Sequence, residues 1–447
     1  MRKRFVKFFS MVTAAALLAA SVAGCQNAGG QGSEAQGSQA GQKATIRYTR
    51  WGLPEEMNGT KKLITAFEEE HSNITVKLES SSWDQYWEKI QTEIASNTAP
   101  DAMLMDGGWY LSQFAPKGVL SDIGALMKKD DISKDDYFDV WKTFTYQDTV
   151  YAMPRDYNSI VLYYNKDLFK KAGVTEYPSD DMTWDQAVEL GQKLTLDKNG
   201  KNATDAGFDD KNITQYGLYL PTNNVDSTIE TLIWQKGGKL MSEDGTQCLI
   251  DSAESKSAFQ FLYDLTYKYK VAPSASEALK YGEEAFPSGK FAMVYQGSWL
   301  QSSLTESKFE WDIAVAPTFG AQKIWCTQSV GNAILKFSSN QEAAWEFIKF
   351  MSGKEGQKIM VDSHDSIPVL KDVAENYYVK LSGAPNNKQA IFDEAASSVP
   401  YVDYPQKSKI FDVVANVTPL YFNNKESLDT TVGKVKDQVE NILSTGE

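Results

Sequence analysis

The sequence predicts an α/β protein of two domains. Short apolar strands alternate with amphipathic helices from residue 44 onward, three such βα units stand in a row, and about 405 of the 447 residues remain once an N-terminal leader and tether are set aside. Consecutive βα units specify a parallel, doubly wound sheet, and a chain of this length can build two sizeable cores.

Taken in order, residues 45–51 alternate, with Ile46 and Tyr48 on one face and Arg47 and Thr49 on the other. Residues 61–70 carry Leu63, Ile64 and Phe67 at helical spacing, and Ile74, Val76 and Leu78 alternate as a strand. Tyr86, Ile90 and Ile94 lie four apart on the next helix, before an apolar strand at 102–105. The second half repeats the theme with a strand at 160–164 and a helix at 166–172 stopped by Gly173. Thr183-Trp-Asp-Gln186 has capping-box spacing. Further strands are expected at 217–220, 291–295, 311–316 and 324–335. Helices are expected at 229–236, after Ser339-Asn-Gln-Glu342, and at 428–443.

The chain opens on Arg2, Lys3, Arg4 and Lys7, followed by an apolar run at 11–23 that closes on Val22-Ala23-Gly24-Cys25. A run this short is a targeting signal rather than a permanent span. Small residues before a cysteine make a lipobox, so residues 1–24 are expected to be a lipoprotein signal peptide and the Cys25 thiol to take the lipid (palmitate-type acylation). Residues 26–42, almost entirely Gly, Ser, Ala and Gln, form a tether that reaches roughly 23 Å by random-coil scaling.

The formal charge of −14 includes the four leader cations, so the mature chain stands near −18. That balance argues against nucleic acid or anionic membrane as a partner. His71 and His364 are the only histidines and join no metal or nucleophile motif, and neither a Gly-x-Ser-x-Gly elbow nor a P-loop is present. The Asp197-Lys-Asn-Gly200 segment with Asp205, Asp209 and Asp210 lacks the glycine and final acid of an EF-hand, and reads as a turn with solvated acids. No metal, cofactor or catalytic residue is expected. Cys248 and Cys326 could meet in a disulfide, which an exported location permits, or pack as separate thiols.

Several motifs resemble one family. The Pro100-Asp-Ala-Met-Leu-Met-Asp106 strand, Tyr151-Ala-Met-Pro-Arg-Asp-Tyr-Asn158, Val161-Leu-Tyr-Tyr-Asn-Lys-Asp-Leu-Phe-Lys-Lys-Ala-Gly173, Phe286-Pro-Ser-Gly-Lys-Phe-Ala-Met-Val-Tyr-Gln-Gly-Ser-Trp299, Ala343-Ala-Trp-Glu-Phe-Ile-Lys-Phe350 and Ile367-Pro-Val369 occur in that order. Together they resemble the maltose-binding-protein-like, extracellular solute-binding proteins (family 1) that feed bacterial ABC importers. The resemblance implies a two-lobe periplasmic-binding-protein fold, type II-like, with a mixed, mostly parallel sheet in each lobe and a hinge between them. Mapped here, lobe one is expected at 44–152 plus 299–340 and lobe two at 153–298 plus 341–447.

It further implies a monomer that captures a carbohydrate, an oligosaccharide in particular, and delivers it to ABC permease subunits driven by a separate ATPase. The lipid anchor implies the extracytoplasmic face of a cell membrane, and the Gly-rich tether favours a Gram-positive surface over a periplasm. The rival classes are a glycoside-active enzyme, which would form product, and a sensor or adhesin without a permease.

Ligands of such folds lie beyond the carboxyl ends of parallel strands, which selects Trp51, Asp106 and residues 107–109 on physical grounds. A pyranose presents an apolar face and a rim of hydroxyls, so aromatic planes beside carboxylates or guanidinium groups are sought. Asp106, Trp109, Arg155, Asp156 and Tyr157 fit these roles. Ser298 and Trp299 follow Gly297, whose missing side chain would let a ligand approach the backbone. In the family this Gly-x-Trp tryptophan stacks on sugar. Trp234, Trp325 and Tyr404 complete the candidates, with core packing as their rival role.

Overall fold

The computed structural model describes residues 43–52, 56–320, 322–400 and 404–446. The expected leader, Cys25 and tether lie outside these residues.

The three predicted βα units are present: β1 (Ala44–Trp51), α1 (Glu56–Glu70), β2 (Ile74–Ser81), α2 (Trp83–Ala95), β3 (Ala102–Asp106) and α3 (Gly107–Phe114). β1 runs parallel to β2 from Ala44 opposite Ile74 to Trp51 opposite Ser81, and parallel to β3 through Tyr48 and Ala102. Strand Val330–Ile334 then joins β3 antiparallel, and Met153–Pro154 pairs with it at the far edge.

The second sheet is organised by Asn158–Asn165, every residue of which is buried. Its run Ile160-Val-Leu-Tyr-Tyr164 has the continuous apolar character of a central strand covered on both faces. Met293–Gly297 pairs with one edge, and Trp325–Gln328 and Trp311–Val315 pair with it as well, all three antiparallel. Ser398–Pro400 adds a parallel strand beside Trp325–Gln328. Parallel pairing therefore characterises β1 to β3, while the second sheet is largely antiparallel. Expected strand 217–220 runs beside residues 291–294 through single parallel bridges, Tyr216 to Phe291 and Tyr219 to Val294.

Hydrogen bonding redraws the expected lobe boundaries. Residues 311–315 and 325–328 fall within the expected lobe one, yet both strands pair with Asn158–Asn165 in the second sheet. The continuous stretch expected at 324–335 is two strands in two sheets, broken at Ser329. Helix Gln341–Ser352, assigned to lobe two, packs on the first sheet: the Phe347 ring meets Tyr48 and Phe67, each at 5.2 Å. Strand alternation and helix periodicity carry no information about which sheet an element joins, so the sequence alone could not place these segments.

Local signals were kept. Thr183 and Gln186 form a reciprocal capping box, and Gly173 adopts φ +70° after helix Lys166–Lys171. Cys248 and Cys326 are buried thiols. Asp197 organises its turn by accepting backbone N–H groups from Asn199, Lys201 and Asp209, and no metal-holding cluster occurs among the described residues. No helix among the described residues is long and apolar enough to cross a membrane.

Candidate functional site

Among the described residues the chain passes between the sheets three times, and two of these crossings, residues 155–157 and Ser329, lie side by side. They are tied together, since Arg155 N donates to Val330 O at 2.9 Å, Val330 N to Asp156 Oδ1 at 2.9 Å, and Ser329 Oγ to Asp156 O. Arg155 and Asp156 are only 3% and 5% exposed. The Arg155 guanidinium bonds Asp156 Oδ2 at 3.2 Å and Asp365 Oδ1 at 2.7 Å. Asp365 also receives Arg50 Nη1 at 3.1 Å and the Thr60 hydroxyl at 3.0 Å, and Arg50 bonds the same Thr60 hydroxyl. This network pins β1, α1 and the loop after helix Lys354–Asp362 to the crossing.

Its electrostatics follow from burial. Burial alone would raise the Asp365 carboxyl, but Arg155 and Arg50 outweigh it and hold that group below its ordinary range. For Asp156 burial wins over Arg155, and its pKa rises to about 6. Tyr157 is enclosed by Phe138, 4.7 Å away, and by Phe392, stacked at 5.7 Å. The expected polar grip at 155–157 is thus a buried brace, with its charges engaged by protein groups.

A second constellation spans the two sheets. α3 begins after β3 because Gly107 permits close approach: a Cβ there would meet the Thr143 carbonyl oxygen at 2.2 Å. The helix presents Trp109, whose Nε1 donates to Asp226 Oδ2 at 3.2 Å. Gln328, at the end of its strand in the second sheet, donates to the same oxygen at 3.0 Å. Asp226 lies on a π-helical turn, Val225–Glu230, a geometry frequent at functional sites. On that turn Glu230 is 8% exposed, and burial pushes its carboxyl up to about 7, opposed by Lys407 and reinforced by Asp226. Lys407, 1% exposed at the start of helix Lys407–Val417, donates Nζ to Gly108 O at 2.9 Å. The Trp109 ring meets Phe411 edge-on at 5.1 Å, and Gln113 bonds Ser408 at 3.1 Å. Two carboxylates, an ammonium, an amide and an indole thus converge where the sheets face each other.

Trp109 is the candidate that the structure brings into this group. Asp106 ends β3 opposite Val330, and its carboxylate does not cap α3. Trp51 ends β1 half-buried in an aromatic cluster with Tyr86 and Trp87. Ser298 is fully buried and donates to Asn158 Oδ1 at 3.0 Å. The half-buried Trp299 borders a crevice of about 50 Å³ with Asp156, Asn158, Ser298, His364 and Tyr378. The space left by Gly297 is filled by Trp299 itself, since a Cβ at Gly297 would lie 2.0–2.2 Å from three indole carbons. That contact replaces the expected ligand approach to the backbone.

Trp325 is buried and donates its indole N–H to Ala316 O at 2.9 Å, which makes it a core residue of the second sheet. Trp234 is half-buried on helix Thr231–Gln235, and Tyr404 lies over Gly245, where an added Cβ would stand 3.1 Å from its ring. Sequence reasoning missed Asp226, Glu230, Gln328 and Lys407. Two acids four apart in the apolar run Val225, Ile229, Leu232, Ile233 were a usable signal. Gln328 and Lys407 carried none.

Two sheets joined by braced crossings, with convergent polar and aromatic groups between them, define a two-lobed binding protein. The family described as bacterial extracellular solute-binding protein matches residues 51–358. The chain belongs to that family, a family of binding proteins rather than enzymes. A protein of Brucella abortus (strain 2308), named only as a binding protein, is 23% identical over 387 residues, covering 85% of this chain and 88% of its own. The galactooligosaccharide-binding protein of Bacillus subtilis (strain 168) is 22% identical over 405 residues, covering 87% and 89%. An ABC substrate-binding protein from Listeria monocytogenes, solved in complex with cycloalternan, superposes with a TM-score of 0.79 at 27% identity, covering 90% of this chain and all of that one. The two-lobe periplasmic-binding-protein fold follows from that superposition.

Proposed function

We propose that this protein captures a neutral oligosaccharide between its lobes and delivers it to an ABC importer. The observation that carries the reading is the set Trp109, Asp226, Glu230, Gln328 and Lys407, which joins the two lobes across their facing surfaces. A sugar ring is recognised by an aromatic plane against its C–H face and by charged acceptors and donors for its hydroxyls. The Bacillus relative is named for galactooligosaccharides and the Listeria relative was solved with cycloalternan, which supports the same class of ligand.

On this reading lobe one comprises the sheet built by β1 to β3 with α1 to α3 and the helices of residues 341–362, and lobe two the sheet around Asn158–Asn165 with the helices of residues 166–267 and the C-terminal helices. Trp51, Asp106, Trp299 and Trp234 are further candidates for ligand contact. Arg155, Asp156 and Tyr157 act as the hinge brace. The chain works as a monomer held through a lipid on Cys25 to the outer face of a cell membrane, and ligand shifts an open–closed equilibrium that permease subunits read.

Isothermal titration against galacto-, malto- and isomalto-oligosaccharides tests the proposal. Saturable one-to-one binding of a glycan is expected. Silence across all glycans, with binding to peptides or metal ions instead, would overturn it.

A further inference from the structure

Four aromatic residues of lobe one stand in a row at one edge of its sheet. β3 leads into Trp109 and Tyr110, β1 ends at Trp51, and β2 leads through Ser82 into Trp83. All three strands are parallel, so these positions share the carboxyl edge, where ligands of open α/β sheets bind. The sheet order places β2 outermost, β1 next and β3 beside the strand that leads to the hinge crossing. The row therefore runs outward from the inter-lobe group, with neighbouring strands about 4.8 Å apart.

Its outermost member is unlike the rest. Trp83 keeps 36% of its surface exposed, and every ring beside it meets it steeply: Trp51 at 4.9 Å and 88°, Trp87 at 5.5 Å and 79°, Tyr110 at 6.0 Å and 66°. Trp87, by contrast, is stacked under Tyr110 at 3.6 Å and 13°. The same cluster holds two buried polar atoms without a hydrogen-bond partner among the described residues, Ser81 Oγ and Trp87 Nε1. Such groups are costly until a partner satisfies them. A supported indole continuous with a polar and aromatic site suits a ring that is apolar on one face and hydroxylated at its rim.

We propose that Trp83, braced by Trp51, is an outer sugar subsite that holds a ring of the ligand distant from the hinge and selects for longer oligosaccharides. This rests on the carbohydrate reading above and adds the chain-length preference. β2 lies two strand spacings, about 9.6 Å, beyond β3, so a longer chain that starts at Trp109 lies along the row and reaches the edge strand.

Titration of the full-length protein and its Trp83→Ala and Trp83→Tyr variants with galacto- and malto-oligosaccharides, from disaccharide to pentasaccharide, tests it. In the wild type, affinity for the glycan series that binds rises with length. In Trp83→Ala the rise is lost, with about tenfold weaker binding of the pentasaccharide, the equivalent of ~1.4 kcal/mol, and unchanged disaccharide affinity. Trp83→Tyr retains part of the rise. Equal weakening at all lengths, or no change at any length, overturns the subsite while leaving the carbohydrate reading intact. Silence of the wild type toward every glycan overturns both.

Discussion

Replacing Asp365 by alanine is expected to destabilise the protein by about 4 kcal/mol, the middle of the range for breaking a buried ion pair on one side. The Asp365 carboxylate is fully shielded from solvent and accepts from Arg50, Arg155 and Thr60. Removing it takes the shared carboxylate from two guanidinium groups, each 3% exposed; Arg155 keeps its bond to Asp156, and Arg50 its bonds to Thr60 and the Trp51 carbonyl. Asp156 is a weak substitute, because burial already raises it to about 6. The exposed pair between Lys170 and Glu310 is the control, and Lys170→Ala should leave stability essentially unchanged, because solvent screens an exposed pair. Urea unfolding at pH 7, followed by tryptophan fluorescence, measures both. A loss below about 1 kcal/mol for Asp365→Ala would refute the claim that this network braces the hinge. The pH dependence has a definite sign. Arginine neighbours hold the folded-state Asp365 pKa below its unfolded value, so its stabilisation is present above the ordinary carboxylate range and is lost as pH falls through the lower folded value.

Glu230 has the opposite sign. Burial raises its folded-state pKa to about 7, so its contribution is present at acid pH and is lost as pH rises from the ordinary carboxylate range through neutrality. That loss amounts to roughly 3 kcal/mol, and Glu230→Gln should flatten unfolding stability across the same window; an unchanged pH profile contradicts this. Gly297→Ala forces the Trp299 indole off its backbone seat and should cost about 2 kcal/mol with an altered near-ultraviolet circular dichroism spectrum. An unaltered spectrum refutes that contact. Cys25→Ala should abolish incorporation of radiolabelled palmitate in the native host, and a labelled variant would contradict the lipobox reading.

Legibility in the sequence was uneven for physical reasons. β1, β2 and β3 could be read because alternation and βα succession are local properties, and helix Trp184–Leu194 because its capping box is written in four consecutive residues. Residues 341–362 could not be placed, since packing of Phe347 on Tyr48 depends on a chain that has already crossed twice between sheets. The site divides likewise. Trp109 was accessible from the strand-end rule. Asp226 and Lys407 acquire meaning only when they meet α3, 117 positions from Trp109 in one case and 299 from Gly108 in the other. The Arg155–Tyr157 segment shows the converse: its chemistry suggested ligand contact, but its position at a crossing buried it. A tryptophan count could not separate Trp325, sealed by its bond to Ala316, from Trp83, left open at the sheet edge.

The central claim is that a glycan is held between the lobes, and a crystal structure of the complex with the best-binding oligosaccharide tests it most directly. The account predicts a sugar ring against Trp109, its hydroxyls bonded to Asp226, Glu230 or Lys407, and Arg155 still paired with Asp365 behind it. A glycan bound elsewhere, or a cleft ligand that leaves Trp109, Asp226 and Lys407 untouched, would contradict it.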